Sequence, residues 1–152
     1  MDSFLPIEIS ASGLDAQRMR MTTIASNLAN VDSTRTTDGE GPYQRRDVSL
    51  QAQQLQFDDL LGIELGAQGD PVLNLLRGVS AKGVIDQSAE PRRAHQPGHP
   101  DADENGWVTY PGINVITEMA NMMAASRSYE ANLAAIRTSV SMIESAMRIT
   151  QG

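Results

Sequence analysis

Near each end of this chain, apolar residues recur on a seven-residue rhythm, and water is a poor neighbour for the stripe they make. Counting from Ile7, one row holds Ile7, Leu14, Met21 and Leu28, and the second holds Ser10, Gln17, Ile24 and Val31. Toward the other end, one row holds Val115, Met122, Tyr129, Ile136, Ile143 and Thr150, and the second Met119, Ser126, Leu133, Val140 and Met147. A 3.5-residue repeat predicts helices that bury a seam against other helices. Two terminal helices satisfy each other only in part, so the remainder predicts assembly, and a building block rather than an enzyme. Nine of the C-terminal seam positions are apolar. At about 1.5–3 kcal/mol per large apolar side chain they represent on the order of 15–25 kcal/mol, before ordering entropy.

Punctuation divides the chain. All seven prolines lie at or before Pro111, and the eight methionines lie in 1–21 or 119–147. Between Gly112 and Gly152 there is neither proline nor glycine. These shifts predict an N-terminal helix within 1–34, an irregular, β-rich insertion with an extended loop over 35–112, and a long C-terminal helix within 113–152. The expected class is mainly α with a small β-rich insertion, its terminal helices packed as a coiled-coil-like pair.

The first helix is expected over about Ser3–Val31, with Asp2 or Ser3 as cap and Pro6 in the first turn. The second is expected from about Asn114 to Thr150, with Asn114 as N-cap, Glu118 in the first turn and Arg148 near the negative end. A helix of about 36 residues is about 54 Å long, a rod of little use to a lone small domain. Ala120, Ala124, Ala125, Ala131, Ala134 and Ala135 lie largely off the seam and suit a helix packed on more than one side. Within the insertion, Gln44–Leu50, Leu75–Ile85 and Trp107–Tyr110 read as strands and Gln51–Leu61 as a short helix or a strand, the helix favoured. Thr34–Pro42 reads as a polar loop, and the prolines of Asp86–Pro111 predict an extended one.

Net charge is −7, of which residues 31–112 carry −6, from thirteen acids against seven bases. The helical ends are therefore nearly neutral, and copies pack without strong self-repulsion. No basic stripe exists to displace counterions from phosphates, which argues against a nucleic-acid partner. Cysteine is absent, which removes disulfides and thiol chemistry. No stretch reaches the ~18 apolar residues of a membrane span. Met1–Ser10 holds Asp2, Pro6 and Glu8 and no basic n-region, so any export is expected to leave no cleaved leader.

Candidate chemistry is thin. Asp101-Ala102-Asp103-Glu104-Asn105-Gly106 matches the start of a calcium loop, but the position that needs a bidentate Glu is Gly112. An Asx-rich turn with Gly106 at positive φ accounts for the same residues. His95 and His99 sit among Pro97, Gly98 and Pro100, which deny them helical ligand spacing. The acid pairs Asp58–Asp59 and Asp103–Glu104 read as solvated surface rather than a hydrolytic dyad. Nucleophile-elbow, phosphate-loop and HExxH signatures are missing. No catalytic residue, metal or cofactor is expected.

Three stretches of residues carry a family resemblance. Ala25-Ser26-Asn27-Leu28-Ala29-Asn30-Val31-Asp32-Ser33-Thr34 is similar to the N-terminal signature of bacterial flagellar rod and hook proteins. Pro97 to Val108, and Met122 to Asn132 with Ala125-Ser126-Arg127-Ser128-Tyr129-Glu130-Ala131-Asn132, resemble the proximal-rod branch of that axial family. Residues from about Gln51 to Ala94 match weakly, and His95-Gln96 replaces the family's usual Tyr-Asp. The resemblance implies a structural subunit of the periplasmic rod, passed through the flagellar type III export apparatus. It implies terminal helices that form a tube wall around the export channel and transmit torque. The implied neighbours are further copies, the rod proteins FlgB, FlgF and FlgG, and the FliE adaptor. Matching signature positions are Ser26, Asn27, Asn30, Arg127, Glu130 and Asn132, and Asn27 and Asn30 are expected to satisfy backbone groups where the first helix ends. The alternatives are another rod protein of the same family, a soluble coiled-coil adaptor, and a calcium-dependent or carboxylate enzyme.

Overall fold

A computed structural model describes residues 5–37, 41–54 and 77–150. In chain order its elements are α1 (Leu5–Ala29), β1 (Arg46–Gln54), β2 (Arg77–Ile85), β3 (Arg92–His95), β4 (Trp107–Tyr110) and α2 (Val115–Thr150). Among the described residues, two long helices thus bracket two small sheets, one of β1 with β2 and one of β3 with β4. The chain is mainly helical with a small β insertion, as its punctuation predicts. The cap candidates Asp2 and Ser3, the acids Asp58 and Asp59, and the expected elements over 55–61 and 75–76 lie outside the described residues.

Asn114 caps α2 as expected: its Oδ1 accepts the amides of Ile116 at 3.0 Å and Thr117 at 3.2 Å, filling two of the helix's orphan donors. Two expectations are corrected. Gln51–Gln54 is strand rather than helix, because it continues the alternation of Val48, Leu50 and Ala52. The loop expected over Asp86–Pro111 contains β3, which pairs antiparallel with β4 from Arg92 opposite Tyr110 to His95 opposite Trp107. Arg-Arg-Ala-His has no β-branched residue, so only its partner strand reveals it.

The chain forms two compact units. One comprises Met1–Arg18, Leu50–Ala81 and Arg127–Gly152. Here Ala16 and Ser139 are buried, Ser12 Oγ accepts the Val79 amide at 3.0 Å, and Gly13 lies directly against Asn132. A Cβ on Gly13 would sit 2.7 Å from Asn132 Nδ2. Glycine in mid-helix costs roughly 0.5–1 kcal/mol against alanine, and this close approach explains its presence. The other unit comprises Met19–Ser49 and Lys82–Ser126, with Ile24, Val108, Tyr110 and Ala125 buried.

The covered face of α2 departs from the expected pair of rows. Met122, Tyr129, Ile136 and Ile143 are half-buried, as one heptad row should be. The companion row is Glu118, Ala125, Asn132 and Ser139, one residue ahead of the expected Met119, Ser126, Leu133 and Val140. Glu118, Ala125 and Ser139 are buried and Asn132 is half-buried, whereas Met119 and Val140 are 55% and 41% exposed. In this row Glu118 is held by the hydrogen bonds of Arg45 and Asn27, and Asn132 lies against Gly13.

Candidate functional site

Asn27 stands in the last turns of α1 with no exposed surface, and its amide group makes four hydrogen bonds. Nδ2 donates to the Arg46 carbonyl at 2.7 Å and to Glu118 Oε2 at 3.3 Å. Oδ1 accepts the Arg46 amide at 3.0 Å and the Tyr43 hydroxyl at 3.1 Å. One side chain thereby bonds both backbone groups at the first residue of β1, as a neighbouring strand would.

Glu118, 1% exposed, is the second pillar. Arg45 donates to its Oε1 from Nε at 3.0 Å and Nη2 at 2.6 Å, while Arg45 Nη1 donates to Asp86 Oδ2 at 2.6 Å. The Asp86 amide donates to the Arg45 carbonyl at 2.9 Å. Burial alone would lower the Arg45 guanidinium; its bonds to Glu118 and Asp86 outweigh that and raise it above its ordinary value. Asp86 is held below the usual carboxylate range, first by the Ser88 hydroxyl and amide and then by Arg45. The hub joins α1, α2, the start of β1 and the end of β2 within one unit. Such a network adds little over an apolar core, yet removing one member strands a buried charge.

Side chains also manage the exit from α1. Asn30 Nδ2 donates to the Ser26 carbonyl at 2.9 Å and Asn30 Oδ1 accepts the Ser33 hydroxyl at 3.0 Å. Ser26 Oγ lies 3.2 Å from the Tyr43 hydroxyl. No non-glycine residue among those described has positive φ, so Asn30 ends the helix through its amide group rather than a left-handed backbone.

The calcium-like stretch is a turn whose two aspartates are engaged by the protein. Asp103 Oδ1 accepts the amides of Asn105 at 2.9 Å and Trp107 at 2.8 Å, and Gly106 turns at φ +77°. Those bonds, the Trp107 amide foremost, hold Asp103 below its ordinary pKa. Asp101 takes Arg35 Nε and the Thr34 hydroxyl, both at 2.6 Å, tying the loop after α1 to this turn. His99 Nδ1 accepts the Asp101 amide at 3.1 Å, and His95 meets Trp107 edge-on at 5.2 Å.

Among the seam residues read from sequence, Ile24 is buried. Ile7, Leu14, Met21, Leu28, Val31, Met122, Tyr129, Leu133, Ile136 and Ile143 are half-buried. Val115, Met119, Val140 and Met147 stand 40–55% exposed. Ile116, Met123, Met142 and Ile149, off that pattern, are exposed by 80%, 58%, 62% and 81%. Of the signature positions, Ser26, Asn27 and Asn30 converge, Asn132 faces Gly13, and Arg127 and Glu130 are exposed on α2. Sequence reading missed Tyr43, Arg45 and Asp86, and took Glu118 only for a helix-start acid. The available signal was the polar row Glu118, Asn132 and Ser139 interrupting an apolar helix.

Two helices that leave apolar surface open, joined through a polar hub, define a helical subunit built for assembly, and comparison places it among bacterial flagellar rod proteins. The family model described as "Flagella basal body rod protein" matches residues 7–35, and "Flagellar basal body rod FlgEFG protein C-terminal" matches 104–149. The chain is similar to the flagellar basal-body rod protein FlgC of Bacillus subtilis (strain 168), 34% identical over 98% of this chain and 99% of that protein. It is also similar to that of Borreliella burgdorferi, 35% identical over the full length of both. The protein from Salmonella typhimurium is 37% identical over 95% of each. The chain belongs to the FlgC family. It is a structural subunit of the flagellar basal-body rod and not an enzyme. Among the described residues no helix is long and apolar enough to cross a membrane.

Proposed function

We propose that this subunit builds the proximal part of the rod as a helical tube that surrounds the export channel and transmits torque. Residues 1–34 and 113–152 form its axial core, with the terminal helices paired as in a coiled coil and lining the tube wall. Residues 35–112 pack outward. The observation that carries this reading is the apolar surface left open along α2, at Ile116, Met119, Met123, Val140, Met142, Met147 and Ile149. Large apolar side chains so dense on one helix mark an interface, and a heterologous contact repeated with a screw rotation yields a filament.

The interface then comprises the seam residues of both helices, from Ile7 to Val31 and from Val115 to Met147. Ser26, Asn27, Asn30, Arg127, Glu130 and Asn132 fix the helix ends and faces that neighbours meet. Those neighbours are further copies, FlgB, FlgF and FlgG, and the FliE adaptor, reached in the periplasm through the flagellar export apparatus. The test is Leu133→Asp with Ile136→Asp in cells lacking their own copy. Rods should be lost while the middle segment stays soluble; normal rods in that strain would refute the helix-wall model.

A further inference from the structure

Four methionines are exposed on α2: Met119 by 55%, Met123 by 58%, Met142 by 62% and Met147 by 52%. Met21 and Met122 are half-buried. Susceptibility of a methionine sulfur to oxidation follows its access to solvent, and this chain has no cysteine to react with an oxidant first. We infer that Met119, Met123, Met142 and Met147 form a modification site of the unassembled subunit, oxidised by peroxides. A sulfur lone pair attacks one peroxide oxygen, the S–O bond forms as the O–O bond breaks, and water leaves. The sulfide is oxidised by two electrons to the sulfoxide as hydrogen peroxide is reduced.

The consequence rests on the reading of the α2 surface as one that neighbours cover. A sulfoxide oxygen is a strong acceptor, and an apolar neighbour offers it no donor, so covering it is unfavourable. Oxidised subunits are excluded from the rod, and assembled ones are shielded. A thiol-dependent reductase acting on free methionine sulfoxide side chains is the class of reaction that returns such subunits to use.

Two measurements test this. The purified full-length chain is exposed to hydrogen peroxide and its peptides are followed by mass spectrometry. The four α2 methionines should gain one oxygen at least about threefold faster than Met21 and Met122; equal rates overturn the site. In cells lacking their own copy, M119L/M123L/M142L/M147L keeps the surface apolar, whereas M119Q/M123Q/M142Q/M147Q imitates the sulfoxide. The leucine variant should build at least about tenfold more rods than the glutamine variant, while the two give the same circular dichroism spectrum. Normal rods from the glutamine variant overturn the inference and leave the rod reading intact. Loss of rods in both variants also overturns it, since the shape of methionine rather than its polarity would then be decisive.

Discussion

The amide of Asn27 has two donors and an acceptor oxygen, and all are engaged at a position with no solvent to replace them. Asn27→Asp keeps the shape but sets a second carboxylate against Glu118 and the Arg46 carbonyl. It should cost about 2–4 kcal/mol in urea denaturation at neutral pH, and less near pH 4, where the new group takes up a proton. Glu118→Ala should cost about 2–4 kcal/mol, because Arg45 keeps Asp86 and a little solvent but loses its buried partner. Arg45→Met added to Glu118→Ala should recover part of the loss, and strictly additive losses would mean that the two do not act as a pair. Asp86 and Asp103 titrate below their ordinary values. Their stabilisation is complete above the usual carboxylate range near pH 4 and disappears as pH falls through the lowered folded-state values. Asp86→Asn should flatten that acid limb in a stability-against-pH profile.

At the level of the elements, the helices were legible because heptads, the absent prolines beyond Pro111 and the cap at Asn114 all agree. Their inner face was not. A hydrophobicity pattern promotes Met119 and Val140, while the fold buries Ala125 and Ser139 and sets Asn132 against Gly13, a pairing that only three dimensions disclose. The hub was illegible for a related reason: Asn27, Arg45, Asp86 and Glu118 are each ordinary polar residues until the chain brings them together. β3 was lost because its evidence lies in its pairing with β4. The close helix approach has its own test. Gly13→Leu should cost about 1–3 kcal/mol by overpacking against Asn132, and Asn132→Ala should return part of it. An unchanged melting curve for Gly13→Leu would show that the two helices do not press together there.

For the whole molecule, near-neutral helical ends and an acidic insertion fit the proposal that the helices meet neighbours and the insertion meets water. The free subunit should gain helical circular dichroism when it enters rods, because apolar helix ends fray in water. An adaptor would be fully helical beforehand, so a spectrum unchanged by assembly would argue against the tube. The hub also spans the chain, from Asn27 to Glu118, 91 positions apart. Contacts so remote in sequence form late, since loop closure must precede any reward. On the proposed export route, the Asn27–Glu118 bond cannot close until both residues have left the conduit. On that proposed route, the lock between the end of α1 and the start of α2 engages only late in passage, and until then the thread stays pliant enough to travel.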